Sequence, residues 1–329
     1  MIRRALLTIG GAAISVASLG FLTRRASRRL LGPPRVAPAE AGLRPALDAL
    51  GGEVVRFRSR DGLRLGARWL DPGRDDPAWE VDPHEAILLL HGWSGFIVPD
   101  LVEYGPYLRR SAGVLGLDFR GHGDSDDSPS TFGLREIDDV AGALAWLGER
   151  GIARVALFGT SMGGIVAIAS VVVLGDGSLP SADTDPTAPA HVAPPSRPRI
   201  VAVVADSVTP ELALAVGSRI GSPRLRSVAE RLFDAAARTL DGDPRETEPI
   251  RVIGLLEGTP LLLISGEQDA TVPLADARRL AAAAPAGTEH WIVPGAGHGQ
   301  AHLIEPAAYE TRTTRHLRSA FLGAREAAL

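Results

Sequence analysis

The sequence predicts an α/β protein whose sheet is mostly parallel and is covered by helices on both faces. Short apolar runs alternate with longer segments of helical periodicity along the chain, which is typical of this class. One run, Ala86-Ile87-Leu88-Leu89-Leu90, has no polar side, as expected of a strand buried on both faces. Polar motifs follow these runs directly, and such sheets bind ligands outside the carboxyl ends of their strands.

Composition excludes several classes of function. The chain has 329 residues and a net charge of -4, so it offers no basic surface for nucleic acid. It contains no cysteine, which excludes disulfides, thiolate metal ligands and a cysteine nucleophile. All its positive side chains are arginines, so a Schiff-base lysine is excluded as well. We expect neither a cofactor nor a metal.

Residues 1–30 predict a single-pass N-terminal membrane anchor. Residues 5–22 carry no charge and meet the lower length limit of about 17 residues for a membrane-spanning helix. Arginines at 24, 25, 28 and 29 stand where a cleaved secretory signal would have its small-residue site. They also disfavour a twin-arginine export signal, although Arg3-Arg4 hints at one; a disordered basic leader is a further alternative. The arginine bias weakly favours a cytoplasmic catalytic domain.

The remaining chain divides into a tether and one catalytic domain. Residues 31–50 are rich in Pro and Ala and predict a tether, and residues 51–329 predict the domain. Alternation in 53–59 and 63–70 predicts a hairpin. Further strands are expected at 86–90, 113–117, 154–158, 200–205, 261–264 and 289–293, and helices at about 100–110, 134–150, 164–169, 274–284 and 306–322. Residues 175–198 predict a mobile surface insertion, and about 211–259 a helical cap over the substrate.

The strongest motif is Gly159-Thr160-Ser161-Met162-Gly163, between a predicted strand and a predicted helix. In that context G-x-S-x-G indicates a nucleophile elbow, a strained turn that exposes a serine hydroxyl. Glycines are needed two positions either side of the serine because larger side chains would clash there. The helix that follows directs its N-terminal amides towards the site, where an anion would form.

A nucleophilic serine requires a base and a carboxylate that orients the base. His298 is the preferred base because its loop is flanked by glycines; His302 is the rival and is interpreted as an ordinary residue at a helix start. Asp269 is the preferred acid, since it follows a strand and lies between the serine and the histidine in sequence. Asp206 follows the preceding strand and is the alternative.

An oxyanion would be stabilised by two backbone amides, which we assign to Met162 and Trp93. Trp93, Phe96 and Met162 are the predicted walls of the substrate pocket. His91 is expected to hydrogen-bond within its own loop. The cluster Asp118, Arg120, His122 and Asp124 is interpreted as a buried network and not as a metal site, because an arginine stands among the carboxylates.

The motifs occur together in one order: His91-Gly92, Asp118-x-Arg120-Gly121-His122-Gly123-x-Ser125, Thr131-Phe132-Gly133, Gly159-x-Ser161-Met162-Gly163, Asp206-Ser207, Gly266-Glu267-x-Asp269-x-x-Val272-Pro273 and Gly295-x-Gly297-His298. Over about residues 50–325 they resemble the α/β-hydrolase superfamily, most closely its serine-hydrolase, esterase-like branch with a short cap. The resemblance implies a triad of Ser161, Asp269 and His298. Relatives with an aspartate nucleophile are disfavoured because position 161 is serine.

The sequence therefore predicts a membrane-tethered serine hydrolase that acts on a small-molecule carboxylic ester or related acyl compound. A peptidase or thioesterase with the same triad is an alternative. A non-catalytic binding protein that keeps the fold is an alternative from another class. The sequence leaves the acyl group and the oligomeric state open.

Overall fold

An eight-stranded sheet organises the part of the chain that the structure describes. In the computed structural model, the described residues are 40–73, 77–93, 95–175, 197–214, 231, 233 and 242–328. The strands, in chain order, are β1 (Glu53–Arg58), β2 (Arg64–Leu70), β3 (Glu85–Leu90), β4 (Gly113–Leu117), β5 (Arg154–Thr160), β6 (Arg199–Asp206), β7 (Leu261–Gly266) and β8 (Glu289–Val293).

Helices connect these strands and lie on both faces of the sheet. Within the described residues they are α1 (Glu40–Leu50), α2 (Ile97–Leu108), α3 (Glu136–Glu149), α4 (Met162–Leu174), α5 (Pro249–Val252), α6 (Leu274–Ala283), α7 (Ala301–Ile304) and α8 (Pro306–Glu326). Two 3₁₀ turns, Pro244–Thr247 and Ile253–Leu255, flank α5.

The strand order is β1-β2-β4-β3-β5-β6-β7-β8. β1 pairs with β2, and β2 with β4, in antiparallel fashion, and every later pair is parallel. This confirms the predicted fold class and the N-terminal hairpin. Because strands β3 to β8 run in one direction, the loops that follow them gather at one edge of the sheet, where a site is expected.

Burial on both faces explains why the central strands are apolar throughout. In β3, Leu88 and Leu90 belong to a core that includes residues of α3 and α4. Ile87 and Leu89 point the other way, into a core built with α2 and α8. Because neighbouring residues of a strand face opposite sides, both sets must be apolar. The two cores hold the sheet rigidly beneath the loops at its edge.

The last part of the predicted tether is a helix. In α1, Leu47 is buried, and the half-buried Leu50 packs against the core on the α2 face of the sheet. The guanidinium of Arg109 donates to the carbonyl of Leu50 over 2.9 Å. The apolar spacing at 43, 47 and 50 follows one helix face and outweighs the proline at 45.

The prediction of a single-pass membrane protein is contradicted and is withdrawn. Among the residues that the structure describes, no helix combines the length and apolarity needed to cross a bilayer. Residues 1–30, on which the prediction was based, lie outside the described ranges. The physical weakness of that prediction is the run 5–22, which is near the minimum length and rich in Gly, Ala and Ser.

Two other predicted segments lie mostly outside the described residues. The predicted insertion at 175–198 is described only at Gly175 and at 197–198, and the predicted cap at 211–259 only in part. From residue 242 onwards, the described part of the cap contains α5 and its flanking turns. Val252 and Ile253 belong to the same core as α4, so this part of the cap packs on the helix that follows Ser161.

Candidate active site

Ser161 lies at a strained turn between β5 and α4. Its backbone φ of 54° and ψ of -115° are unusual for a residue with a side chain. A Cβ on Gly163 would lie 2.1 Å from the carbonyl oxygen of Leu90, and one on Gly159 would lie 2.2 Å from the carbonyl carbon of Gly163. Neither position therefore has room for a side chain. The turn has the geometry that the motif predicted.

The imidazole of His298 lies between Ser161 and Asp269. Its Nε2 is 3.0 Å from Ser161 Oγ, and its Nδ1 is 2.8 Å from Asp269 Oδ2. A carboxylate can only accept, so Nδ1–H donates to Asp269 and Nε2 is left to accept the serine hydroxyl proton. The structure thus brings together the three residues predicted from the sequence.

Asp269 is held in place by its own turn. Its Oδ1 accepts the amides of Thr271 and Val272, at 2.7 Å and 2.8 Å. The side chain is buried, whereas that of His298 is about a quarter exposed at 28%. The carboxylate therefore has one oxygen fixed by the main chain and the other directed at His298.

The alternative acid and the alternative base have other partners. Asp206 accepts hydrogen bonds from the hydroxyls of Ser207 and Tyr309, at 2.8 Å and 2.9 Å. Burial raises the pKa of the Asp206 carboxyl to about 6. The ring of His302 hydrogen-bonds with the hydroxyl of Tyr104 over 3.1 Å. The contacts favour Asp269 and His298 over these two rivals.

Of the residues predicted for the oxyanion hole, Met162 directly follows Ser161, and Trp93 directly follows a residue that approaches it, Gly92. Met162 is the first residue of α4, so its amide has no acceptor within the helix. Gly92 is in close contact, since a Cβ there would lie 3.6 Å from the Cβ of Ser161. Trp93, the next residue, is half-buried, and Phe96 is half-buried immediately before α2. The roles of Met162, Trp93 and Phe96 stay predictions.

His91 holds the loop that carries Trp93. Its Nδ1–H donates to the carbonyl of Gly92 over 2.7 Å, as expected, and Nε2 accepts the amide of Phe119 over 3.1 Å. Burial, and then repulsion by His122, lower the pKa of His91 to about 3. A neutral ring with one donor and one acceptor satisfies both bonds, so His91 is a structural residue of the site.

Glu136 supports the loop that precedes α3, a role that is not predicted from the sequence. This buried carboxylate accepts hydrogen bonds from Ser130 Oγ, from both the amide and the hydroxyl of Thr131, and from the amide of Gly133, at 2.6–3.1 Å. They hold Phe132 at a φ of 56°, with its ring stacked on Trp93 at a centroid distance of 6.0 Å. The motif Thr131-Phe132-Gly133 marks this loop in the sequence, but it carries no role by itself.

Three residues of the predicted buried network, Asp118, Arg120 and His122, are buried, whereas the fourth, Asp124, is exposed. The guanidinium of Arg120, which is 3% exposed, pairs with Asp139 at 2.7 Å and with Asp61 at 2.9 Å. Asp118 accepts the amides of Ile97 and Asp124, at 2.8 Å and 3.1 Å. Across the described ranges, no cluster of three or more acidic or histidine side chains is arranged to bind a metal ion.

The chain is similar to known proteins in both family and sequence. The model of the alpha/beta hydrolase family matches residues 87–312. The chain is 27% identical over 256 residues to YfhR of Escherichia coli O157:H7, covering 76% of this chain and 75% of that protein. It is 29% identical over 288 residues to Rv2307c of Mycobacterium tuberculosis, covering 84% and 82%.

Solved structures share the fold. An esterase of Pyrococcus furiosus, Pf2001, superimposes with a TM-score of 0.58 at 21% identity, covering 88% of this chain and 98% of that one. An esterase of Thermogutta terrifontis gives a TM-score of 0.54 at 18% identity, covering 82% and 99%. At these identities the likeness concerns the fold alone.

Proposed function

We propose that this chain, which belongs to the alpha/beta hydrolase family, is a serine hydrolase that cleaves carboxylic esters or related acyl compounds. The observation that carries the proposal is the pair of hydrogen bonds on His298, at 3.0 Å to Ser161 and 2.8 Å to Asp269. A hydroxyl is a weak nucleophile at neutral pH, and this arrangement supplies the base that activates it.

In the first half-reaction, Ser161 Oγ attacks the acyl carbon while its proton passes to Nε2 of His298. The carbonyl electron pair moves to oxygen, and the amides of Met162 and Trp93 donate to that oxyanion. Collapse of the intermediate breaks the bond to the leaving group, which takes the proton that Nε2 received from Ser161. Asp269 keeps Nδ1 protonated and stabilises the positive imidazolium throughout.

In the second half-reaction, water replaces the leaving group. His298 removes a proton from water as the water oxygen attacks the acyl-enzyme carbon, and the same oxyanion site is used again. Collapse then breaks the bond to Ser161 Oγ, which recovers the proton from Nε2. The carboxylic acid leaves, and the residues return to their starting protonation states. This chemistry uses only the three side chains, two amides and water.

The test is a panel of p-nitrophenyl esters, thioesters and peptide amides assayed with the wild type and with Ser161→Ala. We expect turnover of esters, and in the variant a loss of about 10⁴-fold or more in kcat with unchanged thermal stability. Preference for the thioesters or amides would favour the alternative of a thioesterase or peptidase. Equal turnover by the two proteins would refute the proposal, and so would a wild type that binds the panel without turnover.

A further inference from the structure

One dipeptide contacts both the segment that carries Ser161 and the segment that carries His298. Asp206 ends β6, and its backbone carbonyl accepts the amide of Ser161 over 2.8 Å. The next residue, Ser207, accepts the amide of Gly299 through its side-chain hydroxyl over 2.9 Å. Gly299 directly follows His298. Asp206 and Ser207 therefore link two segments that lie far apart in sequence.

The Ser207 hydroxyl has a defined orientation. It donates its single proton to Asp206 Oδ1 over 2.8 Å, so a lone pair is directed to the amide of Gly299. The second oxygen, Asp206 Oδ2, accepts the hydroxyl of Tyr309, which lies on α8, over 2.9 Å. Asp206 is fully buried, and Ser207 and Tyr309 are nearly so. A buried carboxylate that accepts a hydrogen bond on each oxygen is held in one orientation.

The backbone of Ser207 is also unusual. Its φ is 57°, the left-handed region that residues with a side chain seldom adopt, although glycine adopts it freely. Its amide is tied to the carbonyl of Ile264 in β7 over 2.9 Å. A serine in this conformation is strained, and the surrounding bonds must outweigh that strain. The serine side chain at this position supplies the hydroxyl that accepts the amide of Gly299.

We propose that Asp206 and Ser207 are positioning residues that set the distance between Ser161 Oγ and His298 Nε2. The inference depends on the proposed function, because that distance matters only if His298 takes the serine proton. Asp269 fixes the Nδ1 end of the ring, and Ser207 fixes the main chain one residue further on. This second tie is needed because glycines on both sides of His298 give its backbone wide conformational freedom.

The test removes the hydroxyl without adding strain. Ser207→Gly accommodates the positive φ and lacks the acceptor for the Gly299 amide, while Tyr309→Phe removes one donor to Asp206 and keeps the ring. Misplacing a reacting group by about 1 Å costs about 100-fold in rate. We expect Ser207→Gly to lower kcat and the rate of inactivation by a fluorophosphonate by about 10- to 100-fold, with KM within about threefold. For Tyr309→Phe we expect a fall of about 3- to 10-fold.

The matched control is Ser170→Ala. Ser170 is a buried serine of α4 whose hydroxyl has no hydrogen-bond partner among the described residues, so its removal should leave both rates unchanged. Inactivation is measured well below the melting temperature. If these residues had a purely structural role, the variants would have a lower Tm but an unchanged inactivation rate. Wild-type rates for folded Ser207→Gly and Tyr309→Phe would overturn the inference. If Ser207→Gly does not fold, the rates of Tyr309→Phe decide.

The two proposals fail in different ways. A wild type that neither turns over esters nor reacts with the fluorophosphonate overturns the proposed function. A reactive wild type whose Ser207 and Tyr309 variants match it overturns the positioning role alone.

Discussion

The Nδ1 of His298 lies 2.8 Å from Oδ2 of Asp269, although 29 positions separate the two residues in sequence. The contact selects one tautomer of the ring, with the proton on Nδ1 and a lone pair on Nε2. That lone pair faces the hydroxyl of Ser161. The carboxylate thus determines which nitrogen can act as the base. Replacing the carboxylate of Asp269 with an amide changes only its hydrogen bonding and therefore tests this relationship.

Asp269→Asn should abolish most of the turnover while the protein stays folded. An amide in place of the carboxylate would present a donor or a neutral acceptor to His298 and would favour the wrong tautomer, which costs about 10⁴-fold in kcat in such triads. The measurement is kcat on the best ester of the panel. Glu267→Gln is the control, since that exposed side chain accepts the amide of Gly295 in its turn and should change kcat less than about twofold. Similar kcat values for the two variants would argue against the assigned acid.

Gly163→Ala should destabilise the protein. The added Cβ would lie 2.1 Å from the carbonyl oxygen of Leu90, which belongs to the central strand and cannot move aside. We expect a loss of about 2 kcal/mol or more in the free energy of unfolding, measured by urea denaturation. Gly323→Ala is the control: it has open space around it in α8 and should gain roughly 0.5–1 kcal/mol. Equal stability of the two variants would contradict the crowding at Gly163.

Glu136→Ala should release the loop that holds Phe132 against Trp93. The change leaves four buried or partly buried donors without their acceptor, and we expect a loss of about 3 kcal/mol or more in unfolding free energy. Turnover should fall too, because the Trp93 loop loses its stacking partner. Glu149→Ala, at the exposed end of the same helix, should change stability by less than about 0.5 kcal/mol. A Glu136 variant as stable as the Glu149 variant would show that the four hydrogen bonds contribute little.

His91 should contribute to acid denaturation. Its pKa is lowered to about 3 in the folded protein by burial and by His122, against about 6.5 in an unfolded chain. Between these values the unfolded state binds more protons, so the stability that is fully present above pH 6.5 is lost as the pH falls towards 3. From pH 8 to pH 5 the loss is about 2 kcal/mol.

The measurement is the free energy of unfolding of His91→Gln and of the wild type across that pH range. The glutamine does not titrate, so the wild type should lose about 2 kcal/mol relative to it. His84→Gln, at an exposed histidine, is the control and should parallel the wild type. Parallel curves for all three proteins would mean that His91 binds its proton as readily in the folded state as in the unfolded state, which would contradict the lowered pKa.

The features that could be predicted from the sequence have local causes. Sterics require glycines at 159 and 163, and burial on both faces requires an apolar β3. The predicted bounds of β8, 289–293, agree with the structure. Glycines flank His298, and this local property, which is visible in the sequence, gives its loop the freedom to reach Ser161.

The features that could not be predicted depend on packing between distant segments. In the sequence, Asp206 and Asp269 both stand at or just after the end of a strand. The contact of Asp269 with His298, and the contacts of Ser207 and Tyr309 with Asp206, distinguish them in the structure. The role of Glu136 requires the loop before α3 to fold back onto that side chain. Pro45 makes helix α1 hard to predict from the sequence, although its apolar face packs against α2 in the structure. The membrane prediction relied on a marginal uncharged run.

The most direct test of the central claim is covalent labelling with a fluorophosphonate followed by peptide mass spectrometry. The reagent phosphonylates a serine only when a neighbouring base activates it. We predict that one adduct forms on the wild type, that it maps to Ser161, and that Ser161→Ala abolishes labelling. An adduct on another serine, or a wild type inert at every pH between 6 and 9, would contradict the account.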